Sequence, residues 1–230
     1  MRVVPVLDLK GGVVVHARRG QRADYAPLRS PLVEGCEPVA VARALCGVCR
    51  TRSLYVADLD ALAGDPVNAT ILTALSEVAD TWVDAGATTA ERAAVLHQAG
   101  VARNVIGTES IGPDALEGRP QEPPLVLSVD LRDGRLISPD PELSGREATA
   151  AASLARACNV RELLVIDLAR VGSGSGPPLA AVDQLAQALP GVAIYAGGGV
   201  RDDADLRALE SAGAAGALVA TALHEGRLTL

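Results

Sequence analysis

Phenylalanine is absent from this chain of 230 residues, tryptophan occurs once and tyrosine three times, so aromatics make up only 2%. A core without them has to be packed from Val, Leu, Ile and Ala. The overall balance, 49% hydrophobic and 21% charged, is that of a globular chain rather than a disordered one. Long hydrophobic runs are missing as well. The longest apolar stretches are too short to span a bilayer, and most carry an Asp, which argues against a membrane protein. No positively charged, apolar, small-residue signal opens the chain, and the expected location is the cytoplasm. There is no basic stripe interleaved with aromatics, and the net charge of −7 argues against a nucleic-acid surface.

Cysteine and histidine are also scarce. Cys46 and Cys49 lie three apart on one face of an expected helix, but no second Cys/His pair has matching spacing. They read as buried reduced thiols rather than a metal or redox pair. His16, His97 and His224 are scattered. Neither His97, on an expected helix, nor His224, near the C-terminus, has the setting of a metal ligand. Lysine occurs only once, as Lys10.

What the chain does have is repetition. The segment Val126 to Gly134, with Asp130 in its middle, echoes Val4 to Gly12, with Asp8 in its middle. The run Leu164 to Gly172, with Asp167, echoes the run from Tyr55 that contains Asp58. Trp82 to Gly86 matches Tyr195 to Gly199, and Val105 to Thr108 matches Leu218 to Thr221, both at a constant offset. Halves that match strand for strand point to a duplicated half-barrel, with halves of about residues 1–122 and 123–230.

Apolar runs rich in Val, Leu and Ile alternate with Ala/Leu/Glu/Arg segments of helical period. Strands are expected at about 2–8, 53–58, 81–84, 103–106, 125–130, 162–167, 192–196 and 216–219. Helices are expected at about 38–50, 66–79, 89–99, 144–158, 177–188 and 202–212, with a poor one at 113–117 and a short last one after Ala222. Eight strand–helix units of this kind spell an α/β fold, a closed (β/α)8 TIM barrel forming one domain. A doubly wound open sheet is the alternative, which the duplication disfavours. Residues 12–37 and 169–177 break the rhythm as long loops after strand ends. Both should overhang the catalytic face, and the Gly/Ser-rich second one reads as a lid.

In such a barrel the site lies where strands end. Asp8, Asp58, Asp84, Asp130 and Asp167 all fall at those ends, and Glu109 follows the fourth strand. The first and fifth strands are diametrically opposite, so Asp8 and Asp130 face each other across the mouth and can divide acid and base roles. Lys10, two residues beyond Asp8, is either a chance loop residue or a group kept for its chemistry, a point charge or a Schiff-base amine. Gly197, Gly198 and Gly199 follow the seventh strand and open a helix, a setting whose N–H groups bind phosphate. Ala220 and Thr221 supply the eighth-strand side, and Gly174 the lid. The first-half counterpart reads Asp84-Ala85-Gly86, and its partner Gly107-Thr108 runs into Glu109. Two acids there would repel a phosphate, so one phosphate pocket is intact and the other is degraded or repurposed. The alternative is that Arg18, Arg19 or Arg22 folds over from the first loop and neutralises them.

The runs Val4 to Gly12, Ser128 to Asp130, Ala196 to Val200 and Ile106 to Thr108 resemble the HisA/HisF family of histidine and related biosynthesis, over nearly the whole chain. The resemblance implies a duplicated barrel binding a phosphorylated ribose derivative, with Asp8 and Asp130 at the family's catalytic positions. The family's ribotide isomerase opens an aminoaldose ring with one Asp and removes the C2 proton with the other, giving an aminoketose. No metal or organic cofactor is implied. The chain departs from that isomerase at Asp84, where a glycine loop is usual, at Ile166, where a Thr is usual, and at Val171-Gly172, where Asp-Gly is usual. The pattern looks more like a HisA-related branch associated with one-carbon carrier metabolism, of tetrahydromethanopterin or methanofuran.

The expected function is a cofactor-independent isomerase of a phosphorylated sugar or aminosugar, with Asp8, Asp130, Lys10 and Asp167 as catalytic candidates. Asp58, Asp84, Gly107, Thr108 and Arg19 are further candidates for the substrate site. A Schiff-base lyase using Lys10 and a non-catalytic phosphometabolite-binding subunit are the competing readings. The expected partner is a small phosphorylated metabolite, with neither nucleic acid nor membrane, and homo-oligomerisation is left open.

Overall fold

The apolar runs become the staves of a closed parallel barrel in the computed structural model, which describes residues 1–111 and 122–229. In chain order the strands begin β1 (Arg2–Lys10), β2 (Val13–His16), β3 (Ala26–Pro27), β4 (Ser53–Asp58), β5 (Asp80–Asp84) and β6 (Arg103–Gly107). They continue β7 (Leu125–Arg132), β8 (Arg135–Leu136), β9 (Glu162–Asp167), β10 (Ala193–Gly197) and β11 (Gly216–Val219). Strands β1, β4, β5, β6, β7, β9, β10 and β11 pair in that order, all parallel, and β11 returns to β1 to close the ring. Closure removes every free edge among the eight.

The helices α1 (Pro38–Cys49), α2 (Leu59–Leu62), α3 (Ala69–Val78), α4 (Ala90–Gln98), α5 (Ala152–Ala157), α6 (Leu179–Ala188), α7 (Asp203–Ser211) and α8 (Thr221–His224) alternate with the strands. Local chemistry sets their starts. The Glu37 carboxylate accepts the N–H groups of Val39 and Ala40, and Pro38 occupies the first turn of α1, where a missing N–H costs nothing. Asn68, Thr89 and Asp202 cap α3, α4 and α7 in the same way. Among the described residues no helix is long and apolar enough to cross a membrane.

Strand alternation divides the core in two. Outward residues such as Leu7, Val56, Val83 and Leu163 pack under the helices. Inward residues Val4, Tyr55, Trp82, Val105, Val126, Leu164, Tyr195 and Leu218 fill the barrel. Trp82 and Tyr195 meet there edge to face, their centroids 4.8 Å apart, and Arg103 lies over the Trp82 ring at 5.8 Å. Arg103 also pairs with Glu162 at 2.5 Å and Arg2 donates to the Tyr195 hydroxyl, so the end where the strands start is plugged by charge and aromatic mass.

Three expectations change. Residues 12–37 are not simply a loop: β2 folds back on β1 with Asp8 opposite Val15, and β3 adds to β2. Gly11 and Gly12, both at positive φ, make the two-residue turn that such a hairpin demands. The helix expected over 144–158 is confined to a 3-10 turn at 148–151 and α5, because Leu136 binds Gly145 and Arg146 through the backbone and holds residues 144–146 in a turn. The short helix α2 was not anticipated; Asp58 caps it. The poor helix at 113–117 lies outside the described residues.

Candidate active site

Where the strands end, a cavity of about 270 Å³ opens. Val6 and Asp8 of β1, Tyr55 and Ala57 of β4, Asp84 of β5, Asp130 of β7, Ile166 of β9 and Gly197 of β10 line it, with Glu109 from the turn after β6. Each is an inward position of its strand or follows one. Asp8 and Asp130 stand on β1 and β7, four strands apart in either direction round the ring, so they face one another across the mouth.

The two carboxyls sit in different surroundings. Asp130 is fastened. Its Oδ1 accepts the Ser128 hydroxyl at 2.6 Å, its Oδ2 accepts the Glu109 N–H at 3.2 Å, and its own N–H donates to Thr108 Oγ1 at 3.0 Å. Gly107 makes the seat: a Cβ there would overlap Asp130 Oδ2. Burial, and then the charges of Glu109 and Asp84, push its pKa well above the usual carboxylate value. The Asp8 carboxyl has no hydrogen-bond partner among the described residues. Burial lifts it to about 7, with Arg22 pulling the other way.

Asp84 is 4% exposed and is also lifted to about 7, by burial first and the Glu109 charge second. The Tyr55 hydroxyl, 3.5 Å from Asp84 Oδ2, and the Gly86 N–H are its partners. Burial and the surrounding carboxylates push Tyr55 itself well above the ordinary tyrosine value. Arg22 reaches in from the loop after β2 and ion-pairs with Glu109. Of the three arginines proposed from sequence, Arg22 is the one that folds over these acids. The expectation of a doubly charged wall is thereby corrected. Glu109 is paired, and burial shifts Asp84 toward its neutral form.

The other end of the cavity is a glycine loop. Gly198 and Gly199 have φ of +91° and +83°, and a Cβ would lie 2.7 Å from the Asp167 carbonyl oxygen at the first and 2.5 Å from that of Gly176 at the second. Only glycine fits either position. Neither N–H donates to another described residue. Gly174, Ala220 and Thr221 line the same region. The candidates Gly197, Gly198, Gly199, Ala220, Thr221 and Gly174 are therefore brought together. The loop at 169–177 touches the first loop, since Arg19 N–H donates to the Val171 carbonyl and Gly172 packs on that of Ala17.

Six expected site residues sit elsewhere. Asp58 and Asp167 point outward, one position beyond the inward Ala57 and Ile166. Asp58 accepts the N–H groups of Ala61 and Asn68, and Asp167 those of Asp133, Gly134 and Ala169 together with Arg170 Nε. These carboxylates hold loops and do not line the cavity. Lys10 donates to the carbonyls of Arg22 at 2.7 Å and Ala23 at 3.4 Å and does not line the cavity. In this geometry it anchors the turn carrying Arg22. Arg19 is exposed outside the cavity. Gly107 and Thr108 stand behind Asp130, the first leaving room for its carboxyl and the second accepting its N–H. Tyr55, His16 and His224 also line the cavity and Ser128 holds Asp130, positions not expected from sequence. Strand parity carries the signal for Tyr55 and Ser128. No comparable signal marks the histidines. Among the described residues no group of three or more His, Cys, Asp and Glu side chains could hold a metal ion.

Relatives of known description match the chain over nearly its whole length. A family model described as "Histidine biosynthesis protein" matches residues 2–229. A 1-(5-phosphoribosyl)-5-((5-phosphoribosylamino)methylideneamino) imidazole-4-carboxamide isomerase of Rubrobacter xylanophilus is 35% identical over 99% of this chain and 93% of its own length. The isomerase of the same name from Acidithiobacillus ferrooxidans is 32% identical over 99% and 96%. An uncharacterised protein of Methanocaldococcus jannaschii is 28% identical over 100% and 96%.

Proposed function

The chain belongs to the histidine biosynthesis protein family, and on that footing we propose that it is an isomerase converting a phosphorylated aminoaldose of the ribosyl type into the aminoketose, without a cofactor. The observation that carries this reading is the pairing of two opposed, buried carboxyls with one glycine-built anion loop in a single cavity. Asp130, held in its protonated form more strongly than Asp8, donates its proton to the ring oxygen. The C1–O bond breaks, and the nitrogen lone pair forms a C1=N iminium. Asp8, lifted only to about 7, loses its proton near neutral pH, and its carboxyl has no hydrogen-bond partner among the described residues to break from. It takes the proton from C2, whose electrons neutralise the iminium and give an enolamine. Tautomerisation to the C2 ketone completes the rearrangement. Two groups of different acidity can each contribute about 10²–10⁴-fold.

The phosphate sits on the Gly198 and Gly199 N–H groups beside Thr221. The far end, built from Tyr55, Asp84 and the Arg22–Glu109 pair, takes a neutral or cationic group. A second reading rests on Arg22: a second phosphate would draw its guanidinium away from Glu109 and sit where that ion pair now lies. Supplying the relatives' bisphosphorylated ribotide and a monophosphorylated aminoaldose separates the two. Preference for the monophosphate supports the first reading. Efficient turnover of the ribotide, with rescue of a strain lacking the isomerase, establishes the second. No isomerisation of either, by protein that binds phosphate normally, refutes both.

A further inference from the structure

The cavity has a lobe that the chemistry above does not use. It lies between the β1–β2 hairpin and α8 and is lined by His16 from the end of β2 and His224 from α8, with Glu225 and Arg227. The lobe adjoins the phosphate loop through a ring of contacts. Gly199 packs on the Gly176 carbonyl, Gly172 on that of Ala17, and Ala17 follows His16. On the other side, Thr221 and His224 are three residues apart on α8 and share one face. The Ser30 hydroxyl accepts the Leu32 N–H and meets His224 Nδ1 at 2.8 Å. If Ser30 gives its own proton to Nδ1, the ring keeps Nε2–H as its remaining polar group.

We propose that His16 and His224 complete the phosphate pocket, binding the phosphoryl dianion as imidazolium donors opposite the Gly198–Gly199 loop. This rests on the reading that places phosphate at that loop. A metabolite phosphate held by two titrating imidazoles is gripped more tightly as pH falls and released as it rises. Among the described residues the charged groups around the pair are few. His16 faces Arg18, Glu225 and His224, and His224 faces His16 and Glu225. Glu225 is itself paired with Arg227 at 2.7 Å. Burial lowers both imidazoles, and Arg18 for His16 and His16 for His224 lower them further. A dianion between them reverses that direction, so binding takes up protons.

The test uses the intact protein and sulfate, which stays a dianion throughout the range and so does not titrate itself. The chain has three histidines. His97 is exposed on α4 and serves as the internal control. Imidazole pKa values are followed by NMR with and without saturating sulfate, and occupancy is read from the amide shifts of Gly198 and Gly199. The expected result is a rise of about one unit for both His16 and His224, equivalent to roughly tenfold tighter binding to each protonated ring, with His97 unmoved. His224→Gln and His16→Asn should each remove part of the gain in sulfate affinity between pH 8 and pH 5.5. If Gly198 and Gly199 respond and neither or only one imidazole moves, the inference fails while the phosphate loop stands. If sulfate shifts neither the loop nor the imidazoles, both fall together.

Discussion

Replacing Gly107 by alanine isolates what holds the proposed acid in place. Gly107 has φ −84° and ψ 148°, a conformation that alanine adopts freely, so the backbone adds no strain. The whole effect comes from the added methyl. It would overlap Asp130 Oδ2 and lie 3.1 Å from its Cγ. Ordinary contact needs about 3.5–4.0 Å, so the carboxyl must withdraw by about 1 Å or the β6–β7 pairing must open. Asp130 cannot withdraw without stretching its bonds to Ser128 Oγ and the Glu109 N–H, which are 2.6 and 3.2 Å long. Overpacking of this kind costs about 1–3 kcal/mol, and a displacement of about 1 Å at a reacting group can cost about 10²-fold in rate. Gly47 is the matched control. It lies on the exposed side of α1 with nothing near a Cβ, and Gly47→Ala should stabilise by about 0.5–1 kcal/mol. Urea unfolding of both variants, with sulfate titration to confirm an intact glycine loop and turnover of the preferred aminoaldose, gives the three readouts. Full turnover in Gly107→Ala with unchanged stability would show that Asp130 is not seated as described.

Asp8→Asn and Asp130→Asn should each lower kcat by about 10²–10⁴-fold with the fold intact by circular dichroism, and near-normal turnover in both would assign the chemistry elsewhere. The kcat/KM profile should rise through about pH 7 as Asp8 loses its proton, and a profile flat from pH 5 to 8 contradicts that role. Asp84 is raised in the folded protein from 3.8 to about 7, so its contribution to stability is complete below pH 4 and is lost as pH climbs through 7. At about 1.4 kcal/mol per unit of pKa that is a loss of roughly 4 kcal/mol, and Asp84→Asn should recover part of it at pH 8 and none at pH 4 by urea unfolding. Gly199→Ala combines a positive φ with a clash against the Gly176 carbonyl and should abolish sulfate binding in calorimetry, while unchanged affinity would move the phosphate site. Arg22→Gln leaves Glu109 uncompensated and should weaken a bisphosphorylated ligand more than a monophosphorylated one, as read from the ratio of their KM values.

The alternation of Val/Leu/Ile runs with helical segments already described the barrel, since a strand buried on both faces and a helix with one apolar stripe leave different periods in the chain. Strands 53–58, 162–167 and 216–219 match to the residue. The glycine loop and the opposed Asp8 and Asp130 were legible for a related reason: barrel topology alone places the ends of β1 and β7 opposite one another. Parity would have sorted the remaining acids, because Asp58 and Asp167 follow inward residues whereas Asp84 and Asp130 are inward themselves. Tertiary closure decided the rest. Arg22 meets Glu109 across 87 residues of chain, and Ser30 meets His224 across 194. Nothing local in either sequence segment encodes those meetings. They depend on which way a hairpin leans once the ring has shut, and on which carboxylates backbone N–H groups have already satisfied. That same competition tied Asp167 and Lys10 to loops and left the Asp8 carboxyl, facing the cavity, without a hydrogen-bond partner among the described residues.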